Sequence, residues 1–506
     1  MSDLVKAKVS EMSSGNSVNM LFGINIEHMG RTVYGGIYEE NSPVSDSRGF
    51  RKDVFEALKN LNLSCVRYPG GNFVSGYKWR DGIGPKENRP IRLNLAWKQV
   101  EPNKVGLHEF AEYVERLGTQ LLMNFNLGSA SIQDSLDLFE YCNFTGDTTL
   151  TRYRKENGRE KPFSIKYWGL GNEMDGSWQI CNMSAESYAN KAKEVARLVK
   201  LIDPEVKLIL VGSSKPLLKT FAAWDKTVID IAYEQIDYFS MHSYFDCPDY
   251  FIYKNKSTAE YIGVYAEVQN NINLMASIIK ETKLRKKSKH DVYISYDEWN
   301  IWHRDPKFIN ENRFSGSKEW LASDPRIECI YDFKDVILFS NMLNTLIRNS
   351  DVVKLACVCQ GVNCIAPIIT RSDGKMFKQT IYYPYQFAGN YLKGEYVPVA
   401  YETGKIQSDS FGEYDMLNIV STLNGNYRAI LAINNSETEN AEVEFEFPRI
   451  VRENFSQIMK ASPEDSNGFD EPERVVPKKL AVEIISNRVK LNLPAFSVAM
   501  LSLEEV

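Results

Sequence analysis

No Gly-x-Gly-x-x-Gly and no Gly-Lys-Ser/Thr segment occurs in the 506 residues, which removes the main support for a dinucleotide or P-loop nucleotide site. The eight cysteines never form a Cys-x-x-Cys pair, and no histidine stands at ligand spacing from Cys357 and Cys359. Reduced core thiols are therefore expected rather than a zinc site. Histidine itself is scarce, five in the whole chain. No uninterrupted apolar run approaches the roughly 20 residues that cross a bilayer. The net charge of -6 is carried without long blocks of one sign, so neither nucleic acid nor an anionic membrane is expected as a partner. The first twenty residues lack the apolar stretch of a secretory signal, and a cytoplasmic protein is the expectation.

What remains is ordinary globular material, 43% hydrophobic and 25% charged, arranged in a regular alternation. β-rich runs are found at Asn19 to Ile26, Ser64 to Tyr68, Gln120 to Leu127, Ser164 to Leu170, Val206 to Val211, Ile236 to Met241, Val292 to Tyr296 and Val352 to Cys359. Between them lie segments whose apolar residues recur at three and four, such as Leu107 to Leu117, Ala185 to Leu201, Ala259 to Glu281 and Tyr331 to Asn349. Eight strands alternating with helices predict an α/β fold, a (β/α)8 TIM barrel, over residues 19–384. Residues 385–506 read as short alternating strands, an all-β, jelly-roll-like sandwich, with Asn424-Gly425 and Asn487-Arg488 as hairpin turns. Residues 1–18 are too short to stand alone and are expected to add a strand to that sandwich.

Barrels of this kind place their chemistry at the C-terminal ends of their strands, and polar residues recur there. The first strand delivers Glu27 and His28, the second Arg67 and Asn72, the third Asn126, the fourth Asn172 and Glu173. His242 and Tyr244 follow the sixth, Glu298 the seventh, Gln360 and Asn363 the eighth. Singly, Glu27 reads as a surface ion pair and His242 as a core histidine; repetition at one topological level is what points to a site. Trp97, Trp178, Trp299 and Trp302 add apolar ring faces, and hydroxyl-binding side chains beside indoles suit a sugar. Trp178 and Trp302 lie in loops just past Glu173 and Glu298, and core packing is the plainer reading of the other two.

Glycosidic cleavage needs one carboxyl that gives a proton to the leaving oxygen and one carboxylate that meets the anomeric carbon. Arg67 and Tyr244 near Glu298 would favour its charged form, whereas amide and apolar neighbours would raise the pKa of Glu173. A separation of about 5 Å would give retention and a larger one inversion. A metal-dependent hydrolase would want His-x-His or clustered acids at the strand ends, and only His28 and His242 lie there.

Taken in order, Glu27-His-Met-Gly-Arg31, Arg67-Tyr-Pro-Gly-Gly-Asn72, Trp168-Gly-Leu-Gly-Asn-Glu-Met-Asp-Gly176, His242-Ser-Tyr244, Asp297-Glu-Trp-Asn300 and Gln360-Gly-Val-Asn-Cys-Ile-Ala-Pro-Ile368 resemble the intracellular α-L-arabinofuranosidases of glycoside hydrolase family 51. The similarity runs from about Leu21 to Pro384. It implies a retaining exo-acting enzyme with Glu173 as general acid/base and Glu298 as nucleophile. It further implies that Glu27, Asn72 and Asn172 hold furanose hydroxyls, that Arg67 and Tyr244 orient the nucleophile, and that His242 and Gln360 complete the pocket. Arabinose-containing oligosaccharides would be the partners, no cofactor or metal is expected, and a homohexamer is the implied assembly. Other glycones or modes, namely a galactofuranosidase, a xylosidase, an endo-glucanase or a non-catalytic sugar-binding barrel, stay open. Two departures stand out: Ser129-Ala-Ser131 where such enzymes commonly carry threonine, and His303 where a tyrosine is usual. Both are expected to affect the rim of the pocket. The segment Arg304 to Ile327 reads as a lid.

Overall fold

In a computed structural model that describes residues 4–245, 256–303 and 319–506, eight parallel strands close on themselves. They are β1 (Gly23–Asn25), β2 (Cys65–Tyr68), β3 (Gln120–Asn124), β4 (Tyr167–Gly169), β5 (Lys207–Leu210), β6 (Tyr238–Phe245), β7 (Tyr293–Ile301) and β8 (Val353–Val358). Each neighbours the next, and β8 pairs with β1 to complete the barrel. All eight lie within or overlap the runs read from the sequence, because each is a short, mostly apolar stretch with β-branched or aromatic residues.

Side-chain alternation layers the interior. Cys65, Leu122, Tyr167, Ile209, Leu355 and Cys357 form an apolar cluster. Two residues further on, β2 and β3 present Arg67 and Asn124, so the floor is dry and the mouth polar. Small residues make room where side chains crowd: a Cβ on Gly169 would fall 2.0 Å from Asn124 Oδ1.

Covering helices include Lys52–Lys59, Leu107–Leu117, Ala185–Ile202, Ala223–Ala232 and Phe333–Arg348. The helix expected over Ala259 to Glu281 is two, Thr258–Gly263 and Tyr265–Lys286, interrupted at Val264. Two helices escape the periodicity reading, Ile132–Asn143 and Thr149–Glu156. Their start signals are nonetheless in the sequence: Ser131 Oγ accepts from Asp134 N–H while Asp134 accepts from Ser131 N–H, and Thr148 and Thr151 do the same.

Beyond the barrel, helix Tyr382–Tyr391 straddles the expected boundary at 384/385, and the sandwich strands begin at Glu395. Its two sheets contain five and six strands. The N-terminal strand Val5–Val9 lies in the smaller one, parallel to Ala441–Glu446. The hairpin loops are Gly425-Asn426 and Ser486-Asn487, each one residue from the predicted turn. In the first, pairing of all eight residues of Leu417–Asn424 with Tyr427–Asn434 outweighs the local preference of Asn424-Gly425. Barrel and sandwich are joined by buried amides: Asn341 on Phe333–Arg348 donates to Asn435 Oδ1 at 2.7 Å and accepts from Asn418 at 2.6 Å. Among the described cysteines, Cys181 alone is exposed and none is in a disulfide; Cys247 lies outside the described residues.

Candidate active site

Past Gly169 the backbone turns sharply through Gly171 (φ +96°), and Glu173 adopts φ +44°, a left-handed conformation that costs a residue with a Cβ about 1 kcal/mol or more. Glu298 reaches the same hollow by another device. Ser295 pairs with Ser240 but Glu298 with His242, so three steps on β7 match two on β6. The same count holds against β8, where Tyr296 pairs with Ala356 and Trp299 with Val358. The extra residue is a β-bulge at Asp297, which re-aims the strand so that Glu298 lies level with His242.

A carboxylate oxygen of Glu173, one of Glu298 and a ring nitrogen of His242 all lie within 4.8 Å of one another. Glu298 Oε1 accepts from Arg67 Nη1 at 2.6 Å and Oε2 from the Tyr244 hydroxyl at 2.6 Å. Arg67 also donates to Asn172 Oδ1 at 2.7 Å, and Asn172 Nδ2 to Asn72 Oδ1 at 3.3 Å. Trp178 donates its indole N–H to Glu173 Oε2 at 2.7 Å, and His242 Nδ1 stands 3.1 Å from the other Glu173 oxygen. Glu173 is thus hydrogen-bonded to an indole and an imidazole, not set among the amide and apolar groups that its sequence neighbours suggested.

The opposite wall is built on Glu27. Its Oε1 accepts from Phe73 N–H at 2.9 Å and Trp97 Nε1 at 2.8 Å. Gln360 pairs with it twice, donating to Oε2 at 3.0 Å and accepting from its backbone N–H at 2.9 Å. Gly70 and Gly71 let these acids come together: a Cβ on Gly71 would lie 2.6 Å from Glu298 Oε1 and 3.2 Å from Glu27 Oε2. Trp97 reaches the site on the hairpin of Arg92–Asn94 and Gln99–Glu101, where Asn94 accepts from its backbone N–H and donates to His28 C=O. Trp302 packs edge-on against Tyr244 with ring centres 5.6 Å apart.

Charge follows from these contacts. Burial would raise the carboxyl of Glu298, but His242, Arg67 and the Tyr244 hydroxyl outweigh it and hold it below the usual range. Burial, and then the charge of Glu298, push Glu27 up to about 7 against the bonds from Phe73 and Trp97. Burial would lower His242, yet Glu298, Glu173 and Asp297 lift it to about 9, leaving a cationic imidazole at neutral pH. Glu173, His242 and Glu298 have the residue types of a metal site. A protonated imidazole offers no lone pair at Nδ1, so this set suits proton sharing better than cation binding.

Three strand-end residues singled out by position lie elsewhere. His28 is turned to Glu101 at 2.7 Å and Tyr68 at 3.0 Å, Asn126 donates to Tyr77 C=O and Ser129, and Asn363 holds Arg31 C=O and Thr370. His303 is not at the rim: it is fully buried, 2.9 Å from Asp335 Oδ2, with its ring stacked on Tyr261. Ser131 caps a helix and Ser129 bonds to Ser75 C=O. Of the segment read as a lid, residues 304–318 lie outside the described residues, while Ile327 is buried and accepts from Ile365 N–H. Periodicity gives no reason to single out Asp297, Ser240, Phe73 or Gly71; for the last two, the Pro-Gly-Gly turn after β2 is the available signal.

Known proteins of similar sequence and shape identify the family. Residues 57–261 match the family described as "Alpha-L-arabinofuranosidase 1 domain" and residues 297–497 the "Alpha-L-arabinofuranosidase C-terminal domain". An "Intracellular exo-alpha-(1->5)-L-arabinofuranosidase" of Acetivibrio thermocellus is 41% identical over 375 residues, 74% of this chain and 73% of that protein. An "Exo-alpha-(1->6)-L-arabinofuranosidase" of Bifidobacterium longum is 41% identical over 406 residues, covering 79% and 77%. Among solved structures, a family 51 α-L-arabinofuranosidase from Bifidobacterium longum superposes over 100% of both chains with a TM-score of 0.92 at 31% identity. An arabinose complex of the Thermotoga maritima enzyme covers 99% of this chain and 100% of its own, with a TM-score of 0.86 at 29% identity. Barrel, sandwich, strand-end glutamates and relatives lead to one assignment: the chain is a glycoside hydrolase and belongs to the α-L-arabinofuranosidases of family 51.

Proposed function

We propose that the protein removes terminal L-arabinofuranosyl groups from arabinan- or arabinoxylan-derived oligosaccharides, with retention, by two successive displacements. The observation that carries this reading is the approach of Glu173 and Glu298 oxygens to within 4.8 Å. That gap is near the roughly 5 Å of enzymes whose second carboxylate attacks the sugar itself, and short of the roughly 6.5–9.5 Å at which an attacking water fits behind the sugar. Glu298, kept charged by Arg67 and His242 and held by Tyr244, is the nucleophile. Glu173, bonded by the partly exposed Trp178, is the general acid and then the general base.

Glu27, Asn72, Asn172, Trp97 and Gln360 form the wall that takes the furanose hydroxyls, with His242 closing the pocket. Trp178 and Trp302 face the leaving group. Names of the relatives favour an exo mode, an α-(1→5) or α-(1→6) linkage and a cytoplasmic workplace. Among the described residues no helix is long and apolar enough to cross a membrane. A homohexamer belongs to the same reading and is checked by light scattering.

Azide rescue tests the roles. With an activated aryl α-L-arabinofuranoside, Glu173→Ala should yield an azide adduct of the same anomeric configuration as the substrate, and Glu298→Ala, if rescued, the opposite one. The same configuration from both variants would contradict the assignment. Comparison with the xyloside, the galactofuranoside and soluble glucans separates the glycones and the endo mode.

A further inference from the structure

The bulge in β7 leaves Asp297 without a partner on either neighbouring strand. Its backbone carbonyl is taken instead by Asn25 Nδ2 at 3.0 Å. Its buried carboxylate lies behind the two cations that face Glu298. Oδ2 is 3.3 Å from Arg67 Nε, Oδ1 is 3.9 Å from His242 Nε2, and Ser240 donates to Oδ1 at 2.6 Å. Neither Arg67 Nε nor His242 Nε2 completes a hydrogen bond of good geometry, so Asp297 acts on both through charge. Arg67 and His242 each look two ways, to Glu298 in front and to Asp297 behind.

This arrangement matters because, in the two-step reaction proposed above and on which this inference rests, Glu298 loses its charge midway. In the first step a Glu298 oxygen bonds to the anomeric carbon, the glycosidic C–O bond breaks, and Glu173 gives its proton to the departing oxygen. Glu298 is then a neutral ester. In the second step a water oxygen bonds to the anomeric carbon, its proton passes to Glu173, and the ester bond breaks to restore the carboxylate. Between the steps Arg67 has lost the anion in front of it and His242 keeps only the newly charged Glu173, while burial still penalises both cations.

We propose that Asp297 is a positioning residue that supplies a standing counter-charge to Arg67 and His242, holding both in place while Glu298 is esterified. The groups around His242 make the idea specific. Glu173 faces it from the loop after β4, Asp297 and Glu298 from β7, and Tyr244 is on its own strand. Arg67 from β2, and Glu27 just past β1, bear on Glu298 rather than on the imidazole. Only Asp297 among the nearest acids takes no part in the bond-making or proton transfer of the proposed reaction.

The chain has five histidines, few enough for imidazole nitrogens to be resolved by NMR after histidine labelling. The His242 midpoint should lie near 9 in the free enzyme and fall by about one pH unit or more in Asp297→Asn. With an activated aryl substrate, whose turnover is limited by breakdown of the ester, kcat should fall about tenfold to a hundredfold and kcat/KM by less. Ser240→Ala, which removes one bond to the same carboxylate, should shift both quantities in the same direction by less, and carries the test alone if Asp297→Asn does not fold. An unmoved His242 midpoint, or equal losses in kcat and kcat/KM, would reduce Asp297 to a structural residue and overturn the proposal. The titration needs no turnover, so a failed azide assignment beside a shifted midpoint would sink the two-step reaction and leave the counter-charge standing.

Discussion

Trp178 Nε1 donates to Glu173 Oε2 at 2.7 Å, and the same indole lies beneath the Lys215 ammonium, 4.5 Å from the ring centre. A partly exposed ring is thereby fixed between a cation and the carboxyl proposed to protonate the leaving oxygen. A cation over an indole is worth about 0.5–1 kcal/mol at an exposed site, enough to bias the orientation of the ring.

Trp178→Phe keeps an aromatic ring and deletes the donor. Hydrolysis of an oligosaccharide, whose leaving oxygen needs a proton, should slow about tenfold or more, while an activated aryl arabinofuranoside should be nearly unaffected. Initial rates on the two substrates check this. Equal losses on both would assign Trp178 to sugar packing instead.

Glu27 makes stability depend on pH in a definite direction. Its carboxyl is raised from 4.5 to about 7 by burial and by Glu298, so the folded chain binds the proton more tightly than the unfolded chain. Stability linked to this proton is fully present below pH 4.5, falls as pH rises toward 7, and is flat above it. The loss is of the order of 3 kcal/mol, from about 1.4 kcal/mol per unit. Thermal denaturation across this window should show a shallower decline for Glu27→Gln than for the parent; parallel curves would refute the shift.

Gly71 is dictated by space, since an added methyl would press on the carboxylates of both Glu298 and Glu27. Gly71→Ala should cost about 1–3 kcal/mol of stability and at least about a hundredfold in kcat/KM, because Glu298, the proposed nucleophile, must move. Denaturant unfolding beside steady-state kinetics measures both. Full activity in the alanine variant would show that the pocket is wider than its geometry indicates.

Chelation should leave the rate unchanged. The proton on His242 occupies the nitrogen that a cation would need, and Arg67 already compensates Glu298. Dialysis against EDTA, followed by assay with and without added divalent ions, is the check. Activity that is lost and then restored by one metal would reverse this reading.

Much of the site was legible before any coordinates. Glu27, Arg67, Asn172, Glu173, His242, Tyr244 and Glu298 each follow or end a β-rich run, and a closed parallel barrel brings such positions to one mouth. Position along a strand does not say which way a side chain leaves it, and this is where the reading of His28, Asn126 and Asn363 departed from the structure. Trp97 has no periodic signal at all; the hairpin bonded to His28 carries it in.

By itself the amino-acid order determined the eight-strand alternation, the all-β C-terminal part and the two glutamates that follow the fourth and seventh β-rich runs. These are local properties, written in apolar spacing and turn residues. Only the folded barrel decided that Glu298 lies level with His242, because a bulge inserts one residue and reverses the facing of every residue after it. It also decided that Asp297 stands behind two cations and that a glycine is needed between two acids. Those depend on distances between segments remote in sequence, to which no single segment's pattern is sensitive.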